Sequence, residues 1–591
     1  MKLEQQYLQL HHRYGHAARN EVTLAELAEL LDCTHRSTLT IVKKMAAAGW
    51  IDWASRRGRG QRSTLTLLAP AEQIASQYML QAMNRRDVKQ AAEQIGTFVD
   101  SGLLQEQLNQ WLLGYLGHHT EAGSNNQPID TLRLPLRQQL HALDPLYINL
   151  LAESFVTSHI FDGLVQRGEQ GEISPCLAHT WDVSADRTTW TFYLRKGITF
   201  HHGRTFGASD VVFTFERLKR TERRTLYRDV SRQIQTIDAL DPLTVRFKLH
   251  TAHELFLPFL STSRAAIVPS GQFPSEAETA ADDPTAMSIP IGTGPFKVTR
   301  WDRHVCMLEA FPSYFQGRAH LDRVEILQIP WSSRHELAEH HNEETPFFHL
   351  VHNPSNPSGN EWSQVGAGVT VRKLMTCNTQ KTGPLRDPAV RARVYACLTG
   401  VLSERNDIQT ASSSASHKFM DELTSAKDAA DGSAPLLVIA TIPQYRQNAA
   451  IIAEKLQQHG FNCTVRSAPM EQFKGELRLE SDLILFSLIR DRDEELRRYD
   501  LYLTLSEHLH DTAKHVIQNM LRFVMTSPEG DERMSVLDKI EEELAKEHLL
   551  ITLSEKPMET AYLPSVRGLS FNSQGWVNLR HIWFPSTSTQ G

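Results

Sequence analysis

Two short helical patterns, joined by the tight connection DCT, lie near the start of the chain. In the first, residues 23–31, apolar side chains recur at the spacing of one helix face, and Thr23 with Glu26 predicts a capping box. The second occupies residues 34–49 and ends at Gly49. We expect inward-facing side chains at Leu24, Leu27, Ala28, Leu31, Leu39, Val42 and Met45. Two helices joined this closely predict a helix-turn-helix, so the first part of the chain should form a small domain of its own.

The solvent face of the second helix carries short hydroxyl groups and long cations. Such side chains suit hydrogen bonds to base edges and ion pairs with phosphates, as on a recognition helix. For this helix alone, the alternative of an ordinary charged and solvated face fits equally well. The candidate DNA-contacting residues of the helix are His35, Arg36, Ser37, Thr38, Thr40, Lys43 and Lys44.

An arginine- and glycine-rich hairpin follows directly, with the sequence WIDWASRRGRGQRSTLTLL. The pattern predicts a strand, a sharp turn at two glycines and a second strand. Arg57, Arg59 and Arg62 place cations at this turn, which is typical of a wing that reaches phosphates or the minor groove. The helix pair and the hairpin together predict an α+β winged helix-turn-helix that binds double-stranded DNA.

Charge is distributed unevenly along the chain. Residues 33–68 contain seven lysines and arginines against one aspartate, a net charge of +6 in a protein whose formal total is −7. An acidic body with one basic segment favours an anionic partner at that segment only.

The 591 residues are too many for one hydrophobic core, and the patterns divide the chain into several units. We expect the winged helix-turn-helix over residues 1–69 and a helical connector over 70–117. A polar linker over 118–130 and a mixed α/β body over 131–585 follow. The Ser-rich run 410–435 predicts a surface insertion in that body.

Neither a secretory leader nor a membrane span is indicated by the sequence. The first 20 residues are polar and rich in His and Gln, and no run of about 18 apolar residues occurs. The six cysteines are scattered without a C-x-x-C pair, which favours reduced, buried thiols over a disulfide framework. We therefore expect a cytoplasmic protein with no membrane partner.

Several stretches of the body form a characteristic series. The stretch WTFYLRKGITFHHGRTFGASDVVFTFERL begins with an alternating strand that places Trp190, Phe192 and Leu194 on one face and ends in a predicted helix. PIGTGPFKV, at residues 290–298, predicts a glycine-rich turn into a strand, and residues 435–469 predict a strand–helix–strand unit. In this order the stretches resemble the peptide- and nickel-type solute-binding proteins of family 5.

With its N-terminal module, the chain resembles the SgrR-type transcriptional regulators along nearly its whole length. The wing GRGQRSTLTLL, the segment FHHGR at residues 200–204 and the segment GWVNLRHIWF at 575–584 carry this resemblance. It implies a C-terminal two-lobed α/β fold of the periplasmic-binding-protein type that closes on a ligand by hinge motion. It also implies a DNA-binding activator that senses a small molecule, such as a sugar phosphate, a sugar or a peptide-like ligand. The longer body departs from the pattern, which leaves the ligand and the pocket residues open. RNA polymerase and a second copy of the chain are further partners that the resemblance leaves undecided.

Catalytic, nucleotide and metal sites find little support in the sequence. The turn GTG at residues 292–294 lacks the spacing of a phosphate-binding P-loop, and no G-x-S-x-G elbow occurs. The densest histidine cluster, His508, His510, Asp511 and His515, has no HExxH motif or cysteine partner. We therefore expect no catalytic residue, no metal and no cofactor, and hence no enzyme. The alternative function is a solute or peptide receptor associated with an ABC transporter, which the missing leader and the arginine wing disfavour.

Overall fold

The computed structural model shows a small N-terminal domain and a large α/β body. It describes residues 3–15, 19–56, 62–71, 73–75, 116–122, 127–136, 140–148, 150–221, 225–273, 289–328, 363–398, 436–562 and 566–585. Within these ranges, no helix has the length and apolar character needed to cross a bilayer.

The N-terminal domain is a winged helix-turn-helix. Its helices are α1 (Leu3–Tyr14), α2 (Leu24–Leu30) and α3 (His35–Ala47), and its strands are β1 (Arg19–Val22), β2 (Ile51–Ala54) and β3 (Ser63–Leu67). The strands form an antiparallel sheet in the order β1-β3-β2, in which Ile51 pairs with Leu67 and Val22 with Ser63. The fully buried side chains of this domain include Tyr7, Leu10, Leu27, Leu31, Val42, Met45, Leu65 and Leu67.

The predicted capping box at the start of α2 is confirmed. The Thr23 hydroxyl oxygen accepts a hydrogen bond from the Glu26 backbone N–H at 3.2 Å, and the Glu26 carboxylate accepts one from the Thr23 N–H at 2.8 Å. Two backbone donors that have no partner within the helix are thereby satisfied. The cap fixes where α2 begins, and through the short connection it also fixes the position of α3.

The body consists of two lobes. The first lobe comprises residues 117–328 and 566–585, and the second comprises residues 363–562. The strands of the first lobe are β4 (Gly117–Ala122), β5 (Pro128–Leu136), β6 (Val165–Arg167), β7 (Ile173–Pro175), β8 (Ala178–Val183), β9 (Thr189–Leu194), β10 (Ile234–Asp241), β11 (Thr244–Leu249), β12 (Phe296–Trp301), β13 (Val305–Ala310) and β14 (Arg323–Gln328). Its helices are α4 (Leu151–Thr157), α5 (Ala208–Arg220), α6 (Arg228–Arg232) and α7 (Phe256–Leu260). The second lobe contains β15 (Ser363–Cys377), β16 (Leu436–Thr441), β17 (Asn462–Ser467), β18 (Leu483–Arg490) and β19 (Leu550–Tyr562), with α8 (Pro388–Leu398), α9 (Arg446–Gln458), α10 (Glu494–Ser506), α11 (Asp511–Thr526) and α12 (Gly530–Lys546).

Three larger sheets organise the body. The first lobe holds the sheets β12-β13-β14-β5-β4 and β10-β11-β9-β8, and the second lobe holds β17-β16-β18-β15-β19. The alternation predicted for β9 is confirmed, because Trp190, Phe192 and Leu194 are buried while Tyr193 is exposed. The predicted strand–helix–strand unit is also confirmed as β16, α9 and β17, whose two strands pair in parallel.

The glycine turn at residues 292–294 has a structural role. A Cβ atom on Gly292 would lie 1.9 Å from the Ile160 carbonyl oxygen, and one on Gly294 would lie 2.6 Å from the Ile160 carbonyl carbon. The Gly294 N–H donates to that same oxygen at 2.8 Å. Close approach of two backbone segments therefore explains these glycines without a bound phosphate.

The predicted linker over residues 118–130 is wrong, since this segment contributes two paired strands. β4 and β5 form an antiparallel hairpin, and β5 pairs in parallel with β14. Arg133 on β5 donates to Glu121 on β4 at 2.5 Å and to Glu325 on β14 at 2.8 Å, which ties the three strands together. Most of the predicted connector over 70–117 and the Ser-rich run 410–435 lie outside the described residues.

The N-terminal domain packs directly against the first lobe. Val305 on β13 and the fully buried Leu327 on β14 belong to the same hydrophobic cluster as Tyr7 and Leu65 of the winged helix. Within the domain, the Tyr7 hydroxyl donates to the Ala69 carbonyl at 2.6 Å. The two regions therefore share a core, and the domain is not simply tethered.

Candidate DNA-contacting surface and ligand cleft

The helix α3 begins at a well-formed cap. The Thr34 hydroxyl oxygen accepts a hydrogen bond from the Ser37 backbone N–H at 3.3 Å, and the Thr40 hydroxyl donates to the Arg36 carbonyl at 3.0 Å. After the helix, Gly49 adopts a φ of +73°, a conformation that favours glycine and lets the chain turn into β2. The cap and this glycine therefore mark where α3 starts and where the chain leaves it.

One face of α3 is polar, cationic and open to solvent. The exposed residues among the DNA-contacting candidates on this helix are His35, Arg36, Ser37, Thr40, Lys43 and Lys44. Positions three and four apart lie on the same side of a helix, so Arg36, Thr40 and Lys44 form a continuous ridge. The structure thus brings these predicted residues together on a single surface.

Thr38 does not belong to this surface, and its prediction as a DNA contact is wrong. Its side chain is 0% exposed, and its hydroxyl donates to the Thr34 carbonyl at 3.0 Å. Leu39, which the sequence pattern predicts to face the core, is instead 36% exposed. The buried stripe runs through Thr38, Val42 and Met45, a spacing of four and three residues that follows the helix period more closely. Leu39 lies about 100° around the helix from that stripe.

The wing is only partly described. Arg57 and Arg59 lie outside the described residues, while Arg62 is exposed at the start of β3. Its guanidinium donates to the Glu21 carbonyl at 3.2 Å and to the Glu26 carboxylate at 3.2 Å. Arg62 is therefore attached to the same glutamate that caps α2, a contact that the sequence pattern does not predict.

A cleft of about 310 Å³ lies between the two lobes of the body. Its walls include Ile148, Tyr227 and Arg264 from the first lobe and Tyr445, Phe473 and His508 from the second. Such concave, largely apolar spaces with a few polar groups are the usual sites for small ligands. Sequence reasoning does not find these residues, because they come from segments far apart in the chain.

The lobes are joined beside the cleft by polar contacts. The Tyr227 backbone N–H donates to Asp500 at 2.8 Å, and the Tyr499 hydroxyl donates to Asp229 at 2.8 Å. The Glu254 N–H donates to the Met525 carbonyl, also at 2.8 Å. Apolar residues of the sheet containing β9 and of the second lobe form one continuous hydrophobic cluster around these bonds.

Burial shifts the ionisation of groups on the cleft wall. It raises the pKa of Asp500 to about 6, although the hydrogen bond from Tyr227 opposes the shift. Burial likewise lowers the pKa of Arg264 to about 10, against the attraction of nearby Tyr227, Glu153 and Asp500. In both groups the effect of burial outweighs the opposing hydrogen bonds and charges.

The histidine cluster around His508 is the place where the sequence could suggest a metal site but does not predict one. His508 is buried on the cleft wall, whereas His510 lies within 3.3 Å of the Thr379 hydroxyl. Among the described residues, no group of three or more His, Cys, Asp or Glu side chains is arranged to hold a metal ion. The six cysteines, all of which are described, are free thiols, and all but the partly exposed Cys33 are buried.

Two family descriptions match successive parts of the chain. Residues 2–123 match the family described as "Sugar transport-related sRNA regulator N-term", abbreviated SgrR_N. Residues 172–392 match "Bacterial extracellular solute-binding proteins, family 5 Middle". The first match covers the winged helix, and the second covers most of the first lobe and the start of the second.

Relatives match half to nearly all of the chain at modest identity. The chain is 26% identical to the HTH-type transcriptional regulator SgrR of Pectobacterium atrosepticum over 99% of this chain and 98% of that protein. It is 31% identical to the SgrR of Yersinia pestis (strain Pestoides F) over 56% of this chain and 54% of that protein. The protein YhjP of Bacillus subtilis is 26% identical over 95% of this chain and 96% of its own length.

Solved structures of binding proteins share the fold of the body. The periplasmic binding protein DppA of Helicobacter pylori, in complex with the peptide STSA, superposes with a TM-score of 0.59 at 21% identity. That match covers 77% of this chain and 98% of DppA. NikA of Brucella suis, in complex with Fe(III)-EDTA, also gives 0.59, at 17% identity over 77% of this chain and all of NikA (100%).

The comparisons agree with the geometry. The matched SgrR regulators and the family 5 solute-binding proteins are not enzymes, which agrees with the expectation for this chain. An SgrR_N match followed by a family 5 solute-binding match gives this chain the domain layout of the SgrR-type transcriptional regulators to which it is similar.

Proposed function

We propose that the protein is a ligand-responsive, DNA-binding regulator whose body senses a small molecule or a peptide. The observation that carries this proposal is the exposed cationic face of α3, on a winged helix that shares its core with one lobe of a binding-protein fold. A ligand that binds the two arrangements of the lobes unequally would then act on the DNA-binding domain through this shared core.

The proposed DNA surface comprises α3 and the wing. Short hydroxyl and long cationic side chains on a recognition helix read base edges and phosphates, and arginines on a wing add phosphate contacts. The residues assigned to it are His35, Arg36, Ser37, Thr40, Lys43 and Lys44 with Arg57, Arg59 and Arg62. We assign the DNA-binding unit to residues 1–69 and the sensing body to the chain from β4 to residue 585.

The proposed ligand site is the cleft between the lobes. A sugar phosphate, a sugar and a peptide-like molecule are the ligand classes that the resemblance implies. DNA binding places the protein in the cytoplasm, where double-stranded DNA is its main partner. RNA polymerase, if the protein acts as an activator, and a second copy of the chain are the further partners to test.

Fluorescence anisotropy with DNA from the gene's own upstream region tests the DNA surface. We expect Arg36→Ala and Lys43→Ala to weaken binding, and the salt dependence to become shallower by about one unit for each phosphate that is no longer neutralised. Lys196→Ala is the matched control, because Lys196 is an exposed cation on the body. If the α3 variants bind like the control at every salt concentration, α3 does not contact DNA.

A further inference from the structure

His508 is a buried polar side chain on the wall of the interlobe cleft. It follows α10 in a turn, where its carbonyl accepts the backbone N–H groups of Thr379 and Gln380 at 2.9 and 3.1 Å. The side chain is 0% exposed, yet neither ring nitrogen has a hydrogen-bond partner among the described residues. These hydrogen bonds fix the turn that carries His508, while the polar atoms of its ring stay unsatisfied by the described residues.

The imidazole is uncharged in this position. Burial, with a smaller effect of the Arg478 charge, lowers the pKa of His508 to about 3. A neutral imidazole offers one N–H donor and one lone pair, so it matches a group that can both accept and donate a hydrogen bond. Buried polar atoms are nearly always paired in proteins, which makes an unpaired ring on a cavity wall a marker of an absent partner.

Charged side chains around the cleft are already engaged with the protein. Arg497 donates to Asp491 at 2.7 Å, and Arg478 forms an ion pair with Glu507. Arg264 donates to the Leu146 carbonyl at 2.8 Å. Arg478 and Arg497 are thus paired with carboxylates, whereas Arg264 meets a neutral carbonyl and Lys474 is a further cation on the wall.

The rest of the wall that faces His508 is mainly apolar. Tyr445, Met470, Phe473, Ile484, Phe486 and Leu505 line the cavity on the side of the second lobe. Contact with such side chains favours burial of an apolar body over burial of a charged group, which would lose its hydration without a counter-ion.

We infer that the cleft binds an uncharged, mainly apolar small molecule whose hydroxyl or amide group hydrogen-bonds to His508. This inference rests on the proposed sensing role of the cleft and narrows its ligand class. It disfavours a sugar phosphate, because Arg478 and Arg497 on the wall already pair with Glu507 and Asp491.

Three probes that differ in one substituent test the inference on the full chain: naphthalene, 2-naphthol and 2-naphthyl phosphate. Isothermal titration calorimetry should show 2-naphthol binding about tenfold more tightly than naphthalene, since one neutral hydrogen bond contributes about that factor. The phosphate should bind more weakly than either. In His508→Leu the preference for 2-naphthol should disappear, and in His508→Gln, which keeps a donor and an acceptor, it should persist.

The stability of the ligand-free protein provides an independent readout. His508→Leu should raise the melting temperature, because it removes an unsatisfied polar group, while His250→Leu at an exposed position should leave it unchanged. The inference is overturned if 2-naphthyl phosphate binds most tightly, if none of the probes binds, or if the preference for 2-naphthol survives in His508→Leu. A lower melting temperature in His508→Leu would also overturn it. None of these results alters the anisotropy test of DNA binding, so failure of this inference is distinguishable from failure of the proposed function.

Discussion

At the scale of single residues, Met45 and Leu39 lie on the same helix in opposite surroundings. Met45 is fully buried in the core of the winged helix, while Leu39 is partly exposed beside the cationic ridge. Deleting buried methylene groups removes favourable apolar packing and leaves a cavity, whereas the same deletion at a partly exposed position costs little.

We therefore expect Met45→Ala to destabilise the N-terminal domain by about 2–5 kcal/mol and Leu39→Ala to change its stability by less than about 0.5 kcal/mol. Hydrogen exchange of the amides in α2 and α3 measures this difference locally. Equal acceleration of exchange in the two variants would contradict the observed buried face.

Glu26 serves both as a cap for α2 and as the partner of Arg62. A DNA phosphate that engages Arg62, as proposed, has to compete with this carboxylate, so we expect the ion pair to oppose DNA binding. Glu26→Gln keeps the capping geometry and removes the negative charge. We expect this variant to bind DNA more tightly than the parent at low salt, with the difference shrinking as salt rises.

The matched control for Glu26→Gln is Glu29→Gln, an exposed charge on the same helix. Anisotropy titrations at several salt concentrations compare the two variants. An equal gain in affinity from both would show a general charge effect and no specific release of Arg62.

At the scale of elements, local patterns predict local structure well. The capping box of α2, the alternation of β9 and the β16–α9–β17 unit all depend on residues close together in sequence. Such patterns do not predict the hairpin β4–β5, because its polar residues pair with one another, as His118 does with Asp130 at 3.1 Å. Its other partner, β14, lies far along the chain, and no local pattern indicates such a pairing.

The candidate site likewise has a part that local sequence predicts and a part that depends on distant segments. The cationic face of α3 can be predicted from helical spacing, although an error of one position exchanges Thr38 and Leu39. The cleft cannot be predicted in this way, because Tyr227, Asp500 and His508 meet only when the lobes assemble.

The contact between the winged helix and the first lobe predicts a coupled response. Leu327→Ala should open a cavity in the shared cluster and accelerate hydrogen exchange in α2 and α3, although the substitution lies on β14. Ile439→Ala is the control, since Ile439 is equally buried but belongs to the separate cluster that spans the two lobes. If exchange in α3 is unchanged in Leu327→Ala, the two regions are not energetically coupled.

At the scale of the whole molecule, the lobes are joined around His253. Its ring packs edge-on against Tyr499 of the second lobe, with ring centroids 5.6 Å apart. Burial lowers the pKa of His253 to about 4 in the folded protein, below its ordinary value of 6.5. The stability that depends on the neutral ring is therefore complete above pH 6.5 and is lost as the pH falls from 6.5 towards 4.

Between pH 7 and pH 5, His253 should reduce the free energy of unfolding by about 2 kcal/mol. His253→Phe keeps an aromatic ring against Tyr499 and cannot be protonated, so it should lose correspondingly less stability over that interval. Calorimetric melting of both proteins at the two pH values measures the difference. An identical loss in parent and variant would exclude this histidine as a source of acid sensitivity.

The strand order of the first lobe also bears on synthesis at the ribosome. β5 emerges early, but its parallel partner β14 is made almost two hundred residues later, and Trp576 and Val577 complete the same core later still. The winged helix can satisfy its local contacts at once, whereas the surface formed by Val305 and Leu327 does not yet exist. We therefore expect a nascent chain to expose an apolar patch on its winged helix until the first lobe is complete, and chaperones to bind this patch during synthesis.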